Sequence, residues 1–405
     1  MHLQNSGGGY YYFTMKLKVT DLFYIALSGW VIATVVFGES ALANTLGNQY
    51  IYSIGWLACR VLLLAKTAHD LMQNKNTTTK IILVAALGAV SSYFSKSIFI
   101  VPLFWFLCAG HDIKVEKIVK ILFWSYLISD SIVVLLSVFN VIDIGMAYKA
   151  VTRETTYALG FGHANTLGAR AVELLFLYYC YKQERIKMRQ YCFVVLIIFA
   201  LNYITKSRTS VYTAAAMTVL MMMHTRPLSK NRTFHDTKIR RTLFRLSRVM
   251  VIVIAAFLVI VSINPSIINN NEVAFTGRFA MTARYFAAYP LTLFGQPLAY
   301  NSGNYLLTSQ TGLTTLDIGY IYLLLGFGII IFILFLYSES RLFYLYYRQK
   351  KYVYIIALLG YAILGIAETS MIRVSYNFTL FFIIDLLWNK QETREKLQES
   401  GEMQQ

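Results

Sequence analysis

The chain is short of charge. Of its 405 residues only 14% are Asp, Glu, Lys or Arg, whereas 57% are hydrophobic, a balance that excludes a water-soluble domain and marks a polytopic membrane protein. Acidic residues are the scarcer sign, 20 against 37 basic ones, for a formal net charge of +17. That excess does not point to nucleic acid, because the basic residues lie in short clusters between apolar runs, where they act as topology signals. Cysteine is scarce as well. Cys59, Cys108, Cys180 and Cys192 lie within or at the ends of apolar runs, form no CxxC pair and have no histidine at metal-ligand spacing. They read as buried small residues, and no metal or other cofactor is implied. A cleavable signal peptide is not evident, since residues 1–14 are polar, rich in glycine and tyrosine, and lack both a basic n-region and an apolar h-region. They are expected to form a disordered tail upstream of the natural start, with Met15-Lys16-Leu17-Lys18 as that start.

What the chain has instead is a series of apolar runs, at 22–37, 51–65, 81–94, 98–109, 118–139, 167–181, 191–205, 211–223, 249–263, 318–337, 352–367 and 371–388. A helical crossing needs about 20 apolar residues, with shorter spans tolerated. Lysine and arginine then collect in every second connection: Lys16 and Lys18; Lys66, Lys75 and Lys80; Lys114, Lys117 and Lys120; Lys182, Arg185, Lys187 and Arg189; residues 226–248; Arg341, Arg348, Lys350 and Lys351; and Lys390, Arg394 and Lys396. This alternation predicts about twelve spans with both termini in the cytoplasm. The run 98–109 is the weakest, yet without it every later basic loop would fall outside, so it too is counted as a crossing. The expected fold is therefore all-α, a polytopic bundle of about twelve transmembrane helices in the cytoplasmic membrane. Residues 15–390 form its single domain, 264–317 a long external loop and 391–405 a cytoplasmic tail.

That loop is the longest polar interruption and holds Pro265, Pro290 and Pro297 with a cluster of glycines and asparagines; a loop so long normally has a function. The outer segments together place His163, Arg208, Arg278, Arg284, Asp317, Glu368 and Arg373 on one face. Arginine outside runs against the topological bias and needs another reason, of which anion binding is the obvious one. Its planar fork and permanent charge suit a diphosphate, which makes Arg208, Arg278 and Arg284 the candidate ligands. His163, in Gly160-Phe161-Gly162-His163-Ala164-Asn165-Thr166, is a candidate general base at a helix entry. Asp317 and Glu368, at predicted outer helix ends, are candidate catalytic carboxylates. Asn165 and Tyr285 are expected to position substrate, the tyrosine by stacking on a sugar ring. Blander readings stay open for each: a helix-end cap, a snorkelling side chain, a surface ion pair, or an aromatic belt. Arg60 is a separate case, a charge inside the second apolar run that needs a partner or a cavity.

These residues resemble the Wzy-type polysaccharide repeat-unit polymerases, related to the O-antigen ligases. The likeness rests on the hydropathy profile and on Gly162-His163-Ala164-Asn165, Ser207-Arg208-Thr209, Gly277-Arg278, the spacing from Arg284 to Gly295, and Asp317-Ile318-Gly319-Tyr320. It departs from the family where His-Pro-Asn is His163-Ala164-Asn165 and where Asp-Asn is Asp317-Ile318. The resemblance implies an enzyme that joins polyprenyl-diphosphate-linked oligosaccharide units outside the membrane. Its partners would be those lipid-linked glycans, the bilayer, a flippase and a chain-length regulator. Two alternatives remain, a ligase that moves a finished glycan to another acceptor and a polysaccharide or lipid transporter.

Overall fold

In a computed structural model of the chain, the described residues are 18–388, apart from 45, 74, 98, 150–153, 184, 226, 230–231, 234–237, 265–277, 300–312 and 314–315. The 1–14 tail, the Met15 start, the 391–405 tail and much of the 264–317 loop, with Gly277, lie outside them.

The apolar runs become helices, and one further helix, α10, forms inside the expected external loop: α1 (Val19–Ile32), α2 (Leu46–Gln73), α3 (Lys75–Ser95), α4 (Val101–Cys108), α5 (Val115–Val138), α6 (Ala164–Lys182), α7 (Met188–Thr205), α8 (Arg208–Thr225), α9 (Lys238–Ile263), α10 (Arg278–Ala288), α11 (Gly319–Arg348), α12 (Tyr352–Leu364) and α13 (Ile383–Leu387). Two antiparallel hairpins, β1–β2 (Met146–Lys149, Glu154–Tyr157) and β3–β4 (Pro227–Ser229, Arg232–Thr233), sit in connections. Among the described residues, seven helical segments are long and apolar enough to cross a membrane. Helix α7 shows the solvent they are built for: Phe193, Leu196, Phe199 and Tyr203 are exposed while Tyr191 and Val194 are buried. A helix apolar on inner and outer faces alike suits a lipid surround, and the chain is a multi-pass membrane protein.

Helix α1 packs against α2 and α5, α6 bridges α5 and α8, and α11 lies against α9 and α12. Aromatic rings fill the centre, with Trp30, Phe106 and Phe381 meeting edge to face. Cys59, Cys108 and Cys180 are buried, as expected, but Cys192 is exposed.

Two expected spans are not regular helices. The 98–109 run yields only α4, whose eight residues rise about 12 Å. Pro102 sets its start, and the chain has turned non-helical by Gly110. The segment still returns from the end of α3 to its beginning, since Phe104 packs at Gly88 and Cys108 lies 3.8 Å from the Ile81 carbonyl. The 371–388 run, expected as one helix, is split into 3-10 turns at Thr369–Ile372 and Phe378–Phe382 before the short α13. Buried Asn377 explains the split. It donates to the Met371 carbonyl at 2.6 Å and accepts from the Thr379 amide at 3.0 Å and its hydroxyl, a local alternative to helix pairing.

Helix α11 is also interrupted, at Gly328 with φ 85°. The loop after α10 fills the break: the Gln296 amide donates to the Gly326 carbonyl, and the Ile329 and Ile330 amides donate to Thr292 and Leu293 carbonyls. Gly295 sits at the tightest point, with φ 92° and room for no Cβ, which would stand 2.2 Å from the Gly326 oxygen. Gly295→Ala is expected to destabilise the protein by more than the roughly 1–3 kcal/mol of a left-handed residue alone, seen as a lower melting temperature in detergent. An unchanged melting temperature would mean that the loop does not dock on the α11 break.

Candidate functional site

Two of the candidate carboxylates meet because two helices touch at glycines. The Gly319 amide, opening α11, donates to the Gly365 carbonyl after α12 at 2.9 Å. A Cβ on Gly319 would come within 2.7 Å of the Glu368 carbonyl, and one on Gly365 would collide with the Met371 sulfur. The close approach, which only glycine permits, sets Asp317 near Glu368. Arg278, the first residue of α10, completes the group: its Nε donates to Asp317 Oδ2 at 3.3 Å and its Nη2 lies 3.7 Å from Glu368 Oε1. All three side chains are partly exposed. Burial pushes the Glu368 carboxyl up to about 7, with Asp317 adding to the rise and Arg278 and Arg373 opposing it.

The same connection, past Arg373, reaches a second charged group. Helix α1 runs into a π-helix at Ala33–Glu39, a widened turn frequent at functional sites, which delivers Glu39 to Arg170 of α6. Arg170 is 1% exposed. It pairs with Glu39, donates to Glu173 Oε2 at 3.0 Å and to the Ser375 carbonyl, and lies over the Tyr376 and Tyr126 rings at 4.2 and 4.9 Å. The Ser375 hydroxyl donates to the other Glu39 oxygen at 2.7 Å. Asp130 of α5 is buried within the reach of the Arg170 charge, and neither of its carboxylate oxygens is hydrogen-bonded among the described residues. Breaking a buried ion pair costs about 3–5 kcal/mol, so Arg170 anchors residues 375–376 against the π-helix that carries Glu39.

Glu39, Arg373, Ser375 and Tyr376 also line a cavity of about 350 Å³ walled by Trp30, Phe37, Tyr52 and Phe99. Arg373 thus stands between the two charged groups, its charge acting on both Glu368 and Tyr376.

The other sequence candidates do not join these groups. His163 is the N-cap of α6, its Nδ1 accepting the Asn165 amide at 3.0 Å. In a neutral ring that leaves the proton on Nε2, so acting as a base would require giving up the cap. Capping thus falls to His163 rather than to Asn165 or Thr166, and the Asn165 side chain is half-buried behind it. The His163 loop is tied to the same end of the bundle, because the Ala41 amide donates to the Gly160 carbonyl at 2.7 Å. Arg208 opens α8 and is exposed, while its neighbours Ser207 and Ser210 pack at Gly168 of α6. Arg284 is exposed on α10, on a different face from Arg278, as a separation of six residues on a helix requires. Tyr285 is fully buried and stacks on Tyr289, so its ring packs the loop rather than facing a ligand. Arg60 lies over Trp56 and Trp105 at 4.8 and 6.0 Å, the structural pairing among its two readings.

Arg170, Glu173, Glu39 and Asp130 are the residues that sequence reasoning missed. The signal was present: Arg170 and Glu173 are opposite charges spaced i, i+3 inside the apolar run 167–181, and charges placed so must pair or face a cavity. Among the described residues no group of three His, Cys, Asp or Glu side chains is placed to hold a metal ion. No protein-family model, no curated protein and no solved structure matches the chain.

Proposed function

We propose that the protein is a membrane glycosyltransferase of the repeat-unit polymerase type, lengthening polyprenyl-diphosphate-linked oligosaccharides on the outer face of the cytoplasmic membrane. The observation that carries this reading is the convergence of Arg278, Asp317 and Glu368, three residues from three separate segments, at one end of the bundle. Outside the membrane there is no nucleotide sugar, so a new glycosidic bond has to draw on a donor already activated as its diphosphate. The acceptor hydroxyl oxygen attacks the anomeric carbon, and the bond from that carbon to the diphosphate oxygen breaks with its electron pair. Glu368 takes the hydroxyl proton, and Arg278 steadies the charge that develops on the departing diphosphate. Arg208 and Arg284 offer further anion contacts along the same face, and a flippase and a chain-length regulator would be the working partners.

The reading takes the chain to cross about twelve times with both termini in the cytoplasm, counting the half-helical 98–109 and 371–388 segments as crossings. Single cysteines at Ser302 and Ser229 in a cysteine-free background are expected to react differently with an impermeant thiol reagent, Ser302 alone being labelled in intact cells. Equal labelling, or labelling only at Ser229, would overturn this topology and with it the face assigned to the site.

A second reading, a transporter, is favoured by the buried Arg170–Glu39–Glu173 cluster and by the interrupted segments around α4 and α13, features found along substrate paths in transport proteins. Deletion of the gene separates the two. A lost polymerase leaves single lipid-linked repeat units outside, open to an added glycosidase. A lost transporter leaves them inside and protected. Long lipid-linked chains would instead indicate a lost ligase.

A further inference from the structure

The cavity beside Arg373 has an unspent charge. Arg373 lies over the Phe99 ring at 4.1 Å, its Nε is buried without a hydrogen-bond partner, and among the described residues no carboxylate lies within ion-pair distance of it. The other charges at hand are committed: Glu39 is held by Arg170 and by the Ser375 hydroxyl, and Glu368 lies nearer Arg278. A guanidinium left with unmade hydrogen bonds in a half-buried wall is costly. A ligand oxygen with a negative charge removes that cost, and the fork geometry suits a two-oxygen anion.

The rest of the cavity describes the body attached to that anion. Trp30, Tyr52 and Tyr376 place aromatic rings in its lining, and Gln49 and Ser375 place polar side chains there. Apolar faces interleaved with hydrogen-bonding groups suit a sugar ring, and about 350 Å³ lies at the small end of ligand pockets, sized for the end of a glycan. The backbone at Arg373 is also fixed in place. Its carbonyl accepts the Tyr376 and Asn377 amides at 2.9 Å, and Asn377 ties back to Met371, so little ordering remains for a ligand to impose.

We propose that this cavity is a glycan subsite that reads one anionic group on a sugar, with Arg373 as the specificity-determining residue. The inference rests on the glycan reading above and deepens it: the site would favour repeat units that carry an acidic sugar over neutral ones. A single uncommitted guanidinium matches a single negative charge, whereas a diphosphate would remain under-compensated.

The test uses the purified full-length protein in detergent, with its tryptophan fluorescence followed because Trp30 forms part of the wall. Glucuronate, glucose and inorganic pyrophosphate are titrated in turn. Glucuronate is expected to give a saturating change and glucose a much weaker one. Arg373→Gln is expected to weaken the glucuronate response by roughly tenfold or more, the loss of a hydrogen bond to a charged group. Arg373→Lys, which keeps the charge without the fork, is expected to fall between, and melting temperatures of both variants confirm that they fold. An Arg373-dependent response to pyrophosphate with none to glucuronate would overturn the sugar assignment and make the cavity a site for the lipid diphosphate. No Arg373-dependent response in folded protein would overturn the subsite altogether. Binding is read here without turnover, so a negative result counts against the subsite alone, while the location of repeat units in the deletion strain tests the polymerase.

Discussion

Glu368→Gln is expected to lower chain extension by about 10²–10⁴-fold, the usual contribution of a positioned general base, and to flatten the pH profile of what remains. The carboxyl is pushed by burial from its ordinary 4.5 up to about 7. Below that value it is protonated and cannot accept the acceptor proton, so wild-type activity should rise with pH through about 7. Stability should move the other way. The folded protein keeps a proton that the unfolded chain gives up, so the contribution of Glu368 is complete below about 4.5 and is lost as pH rises through about 7. Glutamine removes both slopes. The measurement is extension of purified lipid-linked repeat units, with melting temperatures taken over the same pH series. A variant that keeps the wild-type rate and rising limb would free Glu368 from the mechanism and leave Asp317 as the carboxylate to test.

Arg278→Ala is expected to cost about 10²–10³-fold, the usual loss when a donor aimed at developing negative charge is removed. The contacts of Arg278 to Asp317 and Glu368, at 3.3 and 3.7 Å, are longer than the 2.7–2.9 Å of a tight charge-assisted bond. Its guanidinium therefore retains donor capacity for a ligand. The substitution carries a second signature, because Arg278 is the foremost charge holding the Glu368 carboxyl down. Without it, the rising limb of the pH profile should move to higher pH. Arg278→Lys restores a charge but not the fork and should rescue only part of the rate. The readout is polymer length in a deletion strain at matched membrane abundance. Wild-type polymer from the alanine variant would remove Arg278 from the leaving-group role.

The sequence made the helices legible because apolar runs and lysine clusters are written locally. It did not show that α4 lasts eight residues or that 371–388 is broken. The break in 371–388 depends on where Asn377 turns its amide and on Arg170 drawing in the Ser375 carbonyl, a contact 205 residues away in sequence. Of the candidate site, Arg278 could be named singly as an arginine of the long external loop and Asp317 and Glu368 as carboxylates at helix ends, but the approach of the two carboxylates depends on the Gly319–Gly365 contact, which no local pattern encodes. Tyr285 and His163 show the reverse case. Both read from the sequence as residues that face a substrate, and packing uses the ring of one and the Nδ1 of the other. The Arg284-to-Gly295 spacing acquires a physical meaning: α10 ends at Ala288, and Gly295 is where the following loop can touch α11.

That touch sets the tempo of the loop. Three backbone hydrogen bonds, from Gln296, Ile329 and Ile330, close the break at Gly328. Pulling residues 292–296 away would strand those groups at about 1–3 kcal/mol each, so the undocked form would be populated less than about 1% of the time. A segment held so firmly makes a poor swinging gate. Residues 292–296 instead form a fixed brace that keeps α11 bent at Gly328.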